Sequence, residues 1–184
     1  MKKDLGSVLA LYPTPLVVVG AMVNGKPTWT LVAHTGIPSH DTVMVSLAKP
    51  HYINSGVKAS KALSINLVDE SWLAKADYCG CVTGGKVDKS DVFAYTIGET
   101  GAPMISEAKL TLECTVEDIY ETAQFENFML KIAHTFADEA ILTEDGKKPD
   151  FSKFKPVLFE MPGYTYLKTG ETIAKCMSLG KELK

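Results

Sequence analysis

The sequence predicts a mainly β chain whose strands close into an antiparallel barrel, with a few short helices inserted. Short runs rich in Val, Ile and Thr recur along the chain, tight turn dipeptides separate several of them, and helical spacing is confined to brief stretches. Closing such a sheet removes its exposed edges, which favours a barrel over an open meander. At 184 residues and 46% apolar composition the chain suits one well-buried core and is short for two. With no repeat, low-complexity tract or linker, one domain over residues 1–184 is expected.

The elements follow in chain order. "PLVVVGAMV" and "KPTWTLVAHT" flank Asn24-Gly25, the strongest short hairpin dipeptide. "TVMVSLA" (42–48) and "ALSINLV" (62–68) are strands, and between them Pro50, Ile53 and Val57 have the placement of a short helix. A further helix is expected over about 70–78, "ESWLAKADY", and a short helical turn near 88–95. "LTLECTVEDIY" (110–120) alternates Leu110, Leu112, Cys114 and Val116 against Thr111, Glu113, Thr115 and Glu117, the signature of a half-buried strand with Cys114 inward. Residues 127–142 continue in β fashion, Asp145-Gly146 supplies a turn, and "VLFEMPGYTYLKTGETI" holds one or two short strands broken by Pro162, Gly163 and Gly170.

Charge and composition exclude several functions. Nineteen basic against 22 acidic residues, a net of −3, lack the basic excess that tracks a nucleic acid backbone. No apolar run approaches the roughly 20 residues that span a bilayer, and Asp4, Gly6, Pro13 and Pro15 interrupt any signal-like core, so a cytoplasmic protein is expected. Four scattered cysteines, Cys79, Cys81, Cys114 and Cys176, are too few for a disulfide scaffold.

Three polar stretches are candidates for chemistry. Cys79-Gly-Cys81 has one intervening residue and no second ligand pair, so neither zinc nor a strained local disulfide suits it; one buried and one half-exposed thiol are expected. In "TGGKVDKSD", Gly84 and Gly85 permit positive φ and close approach of a ligand, Lys86 and Lys89 bring charge, and Asp88 or Ser90 can cap a turn. A solvated, capped turn accounts for the composition better than a ligand loop does. In "SLAKPHYINSG", Ser46, Lys49, His51, Tyr52 and Asn54 fall where a strand gives way to a helix, a place suited to a phosphate and equally to plain turn hydrogen bonding. The strand "WTLVAHTG" has small and polar members along which a planar ring could lie. His34, His40 and His134 show no ligand or triad spacing.

The order "LVVVGAMVNGKPTWTLVAHTG", "VMVSLAKPHYINSGVKASKALSINLV", "DYCGCVTGGKVDKSDVF" resembles the flavin reductase-like family of FMN-binding split barrels, in its flavoredoxin and ferric reductase branch, over about residues 10–170. That resemblance implies a six-stranded antiparallel Greek-key split barrel that forms a homodimer with one FMN per subunit. It puts Thr30, Val32, Ala33 and His34 beside the flavin ring, and Ser46, Lys49, His51, Tyr52 and Asn54 around the phosphate. Gly84, Gly85, Lys86, Asp88 and Lys89 become the loop near the flavin. No residue is singled out as catalytic, and no metal is implied. Asn127 stands where many relatives have a histidine, which bears on direct reduction by NAD(P)H. Three functions remain open at this point: an NAD(P)H-dependent FMN reductase, an FMN electron carrier reduced by a ferredoxin-like partner, and a non-redox split barrel binding another planar or phosphorylated ligand.

Overall fold

The computed structural model describes residues 1–11 and 13–183, the side chains of residues 182 and 183 excepted. After a short strand β1 (Thr14–Pro15), β2 (Val17–Val23) and β3 (Lys26–Val32) form the hairpin that Asn24-Gly25 announces, with φ of 51° and 78° at the two turn residues. Positive φ at both central positions matches the strands' right-handed twist, which is why the pair favours Asn-Gly. A two-residue β4 (Thr35–Gly36) and then β5 (Thr42–Ala48) precede helix α1 (Ile53–Ser60), strand β6 (Ala62–Leu67) and helix α2 (Leu73–Cys81). The hairpin β7 (Tyr95–Ile97) and β8 (Pro103–Ile105) leads to the long strands β9 (Leu110–Glu121) and β10 (Phe125–Ala137). A final hairpin, β11 (Val157–Glu160) and β12 (Thr165–Lys168), pairs with β1.

The main sheet is antiparallel in the order β3-β2-β6-β9-β10-β5-β4, six long strands and one of two residues. Its ends curl toward each other, and the backbone N–H of Ser46 donates to the carbonyl of His34 at 2.9 Å. This is the split barrel anticipated from the sequence. Its interior holds Val17, Val19, Val45, Leu47, Phe128 and Leu130, closed at one end by Ile53 and Val57 of α1. A second core on the outer face joins Val18, Trp29, Trp72, Cys79 and Phe93 beneath α2. β2 is buried on both faces, so its sequence is a nearly continuous apolar run rather than an alternating one. Among the described residues, no helix is long and apolar enough to cross a membrane.

Three expectations are corrected. The helix expected over 70–78 runs Leu73–Cys81 and carries both cysteines on its last turn. Residues 90 and 91 form a single turn and 92 and 93 a bend rather than a helix: Val92 N–H donates to the Lys89 carbonyl at 3.3 Å, Asp88 caps by accepting from Ser90 N–H at 2.9 Å, and the chain then passes into β7. The polar face of β9 is not solvated near its start. Thr111 and Glu113 are 3% and 0% exposed, covered by the β7–β8 hairpin, with the Glu113 carboxylate accepting from Thr100 N–H and Oγ1 at 2.6 Å each.

Candidate functional site

The site begins at β3, the end strand of the sheet. In a two-residue hairpin the residues flanking the turn exchange both backbone bonds, and alternate residues after them do the same. With Val23 opposite Lys26, residues 26, 28, 30 and 32 turn their backbone to β2, and residues 27, 29, 31 and 33 turn theirs to the open edge. Pro27 fits this register, since it lacks the N–H a paired position would need. Thr30 and Val32 therefore spend their backbone groups on β2, and the groups at the open edge belong to Trp29, Leu31 and Ala33.

Two cavities lie along that edge. The first, about 250 Å³, is lined by Thr28–Thr30 of β3, His51–Ile53 ahead of and into α1, Cys79–Gly84 at the end of α2, and Lys89. The second, about 240 Å³, is lined by Leu31–His34, Ser46–Ala48, His51 and Phe125. His51 belongs to both. A shallower recess of about 370 Å³ continues from the first past Tyr52 and Gly84 to Asn24, Lys26, Gly85, Lys86 and Asp88. Among the described residues, no Asp or Glu lines either of the two cavities on the β3 edge.

Lys89 supplies the charge. It is 4% exposed, yet no carboxylate meets it among the described residues. Its ammonium donates to the carbonyls of Cys79 at 3.1 Å and Val82 at 3.0 Å, groups that the end of α2 leaves without helical partners. An ammonium has three donors, so one N–H remains for a guest of the cleft. Burial pushes the Lys89 pKa down, opposed by the Cys79 thiol.

His51 is half-buried, its Nδ1 3.5 Å from Thr30 Oγ1. Burial, and then the nearby Lys89 cation, hold its pKa below the usual histidine value. Burial lowers His34 likewise, and its ring lies against Phe125 with centroids 5.4 Å apart.

Gly84 and Gly85 do not use positive φ, contrary to expectation. Gly84 is required by contact instead: a Cβ there would lie 2.7 Å from both Thr28 Oγ1 and Tyr52 Cδ1. Gly85 is under no such pressure.

The structure thus gathers Thr30, His51, Tyr52, Gly84 and Lys89 in one cavity, and Val32, Ala33, His34, Ser46 and His51 in the next. Gly85, Lys86 and Asp88 stand in the adjoining recess, where Asp88 pairs with Lys26 at 2.7 Å across its mouth. Lys49 lies outside all three and pairs with Glu121 at 2.9 Å. Asn54 is 2% exposed, and its amide donates to Ala48 O at 3.1 Å and Glu126 Oε2 at 2.8 Å. Ser46 donates to Asn127 Oδ1 at 2.6 Å, and Asn127 in turn donates to Tyr120 O at 2.8 Å.

Sequence reasoning missed Thr28, the end of α2 and Phe125. Thr28 had a signal, lying two residues before Thr30 on the same face of a strand. Phe125 had none, since only the barrel's closure brings it to His34.

Residues 9–166 match the family model described as flavin reductase like domain. Among solved structures, flavoredoxin from Methanosarcina acetivorans is 32% identical, with 100% of each chain covered and a TM-score of 0.94. Flavoredoxin of Desulfovibrio vulgaris (Miyazaki F) is 31% identical over 98% of this chain and 100% of its own, at 0.88. An FMN-binding protein from Thermus thermophilus, solved with bound 1-cyclohex-2-enone, shares the fold at 20% identity, 95% and 99% coverage and 0.80. A comparison with curated proteins found no match. The chain belongs to the flavin reductase like domain family.

Proposed function

We propose that this protein is an FMN-binding redox protein of the flavoredoxin kind, one domain over the whole chain. The observation that carries the reading is Lys89: a buried cation without a carboxylate partner among the described residues, one N–H unfilled, in a cleft bordered by a free strand edge. A fixed positive charge of this kind suits an electron-accepting ring that gains negative charge on reduction. Among the described residues, the backbone groups of Trp29 and Leu31 at the open edge have no strand partner and suit the ring's polar edge, and the absence of acidic lining suits a phosphorylated ligand. When bound, FMN supplies the exchange of electrons between donor and acceptor. The protein's own residues bind and orient it: Lys89 provides charge, Thr28 and Thr30 provide hydroxyls, and His34 and Phe125 offer ring faces in the lining of the second cavity.

Reduction by a protein donor such as a ferredoxin is the reading favoured over direct reduction by NAD(P)H, on the strength of Asn127. Its side-chain oxygen and one amide hydrogen are tied to Ser46 and Tyr120, and it offers no titratable group at the place where the resemblance implies a histidine. Pairing into a homodimer is also proposed, on an apolar groove of about 460 Å³ at the open β4 edge, lined by Leu11, Val17, Ile37, Met44 and Leu67. The purified protein should be yellow and release FMN on denaturation. Under anaerobic conditions the colour should survive excess NADH or NADPH and bleach with reduced ferredoxin. Protein that is colourless and takes up no added FMN would remove the flavin reading, whereas prompt bleaching by either nucleotide would make the protein a reductase.

A further inference from the structure

The two cavities on the β3 edge meet at a single side chain, His51. Its imidazole has a hydroxyl, Thr30 Oγ1, at 3.5 Å and no carboxylate in the lining of either cavity among the described residues. The titratable groups facing it from the first cavity are Lys89, Tyr52, Cys79 and Cys81, and from the second, His34. Lys89 is the one cation among them, and Lys49, two residues upstream, is turned away and paired with Glu121.

We propose that His51 takes up a proton from solvent when an anionic ligand enters the cleft, so that binding of a phosphorylated flavin is coupled to protonation of this imidazole. The proposal rests on the FMN reading. Before binding, the partly buried setting and then the Lys89 cation both oppose a second positive charge, so His51 binds a proton less readily than an ordinary histidine. The phosphate of such a ligand brings negative charge that reverses the local field, and the imidazole nitrogen without a proton gains one, with no electrons exchanged. The same step adds a charge-assisted donor to the cleft. The other lining groups do not answer in this way. Burial raises the Cys79 thiol to about 11, opposed by Lys89, so it stays protonated. His34 lines only the second cavity, its ring tilted against Phe125.

Linkage gives the sign. A group whose pKa is higher in the complex than in the free protein strengthens binding as pH falls. A rise of one unit makes the low-pH affinity up to about tenfold greater than the high-pH affinity. The ligand's phosphate titrates near about pH 6 and a cationic site strips its proton, so its own contribution is proton release, of opposite sign.

The test is titration of the full-length, flavin-freed protein with FMN across about pH 6 to 8.5, followed by flavin fluorescence. Calorimetry near neutral pH, in buffers of differing ionisation enthalpy, counts the protons exchanged. For a rise of about one unit the wild type should take up a few tenths of a proton, at most about half, and bind several-fold more weakly at the alkaline end. His51→Gln and His51→Asn should lose the uptake and flatten the curve relative to wild type, while His40→Gln, at a histidine that lines neither cavity, should keep both. FMN binding without proton uptake by the wild type overturns the proposal alone, with no variant needed, as does uptake unchanged in both His51 variants. Failure of the wild type to bind FMN at any pH overturns the flavin reading and the proposal together.

Discussion

The ammonium of Lys89 donates to the carbonyl of Cys79 at 3.1 Å, joining the loop after α2 back to the helix's last turn. Together with the bond to Val82 it caps a helix end that has no basic side chain of its own in its last turn. Lys89 thus has two roles in one position, a structural cap and the charge of the cleft.

Lys89→Met should reveal both roles. It leaves two carbonyls without a donor, so the flavin-free protein should lose about 1–3 kcal/mol in denaturant unfolding. FMN affinity should fall by at least about tenfold, a loss of about 1.4 kcal/mol or more. Lys86→Met should change stability by less than about 0.5 kcal/mol, since its side chain is exposed and makes no ion pair among the described residues. Equal effects of the two substitutions on FMN affinity would remove Lys89 from its place as the principal cation.

Gly84→Ala should weaken FMN binding more than it weakens the fold. The new methyl would stand 2.7 Å from Tyr52 Cδ1 and Thr28 Oγ1, so Tyr52 must swing into the cleft or the loop must lift. Overpacking of this sort costs about 1–3 kcal/mol. Gly85→Ala is the control, with its nearest neighbour at an ordinary 3.7 Å. Fluorescence titration of both variants checks the difference, and identical affinities would refute a cleft closed by Gly84.

Asn54 distinguishes a structural role from phosphate contact. Its amide donates to Glu126, 5% exposed, which also pairs with Lys58 at 2.7 Å. Asn54→Ala leaves the Glu126 carboxylate and the Ala48 carbonyl short of a donor, so about 1–3 kcal/mol of stability should be lost. FMN affinity measured on the folded fraction should stay within about threefold of wild type, less than 1 kcal/mol. A larger loss of affinity with unchanged stability would return Asn54 to the phosphate.

How much of this was legible in the sequence depended on the range of the interaction. The β2–β3 hairpin was plain because Asn24-Gly25 states its turn locally and the flanking runs state its strands. The strand, helix, strand passage from β5 to β6 was plain for the same reason. The end of α2 was only partly so: Gly84-Gly85 lies just past it, but the donor that satisfies its last carbonyls is Lys89, ten residues past Cys79. Gly84 was found for the wrong reason: composition suggests positive φ, whereas the need arises from Thr28 and Tyr52, distant in the chain. The burial of Glu113 was hidden similarly, since alternation along β9 cannot announce a hairpin folded over its polar face. The resemblance found the loops of the cleft, and only tertiary packing separates Lys89, inside it, from Lys49, outside.

The four thiols should divide cleanly under alkylation. Cys79 is 1% exposed and Cys114 is 0% exposed, and burial pushes their pKa values up to about 11 and about 12, so neither holds an appreciable thiolate fraction near neutral pH. Cys81 and Cys176 are exposed. The thiolate is the reactive form, which the buried pair lacks, and access favours the exposed pair. A thiol reagent at about pH 7.5 should therefore label two cysteines per native chain, and all four after unfolding. Cys81 lines the cleft that Lys89 charges, so added FMN should slow its labelling while leaving Cys176 unaffected. Mass mapping of the modified peptides reads both results. Rapid native labelling of Cys79 would mean that the end of α2 opens, and equal protection of Cys81 and Cys176 would mean that FMN acts elsewhere than in this cleft.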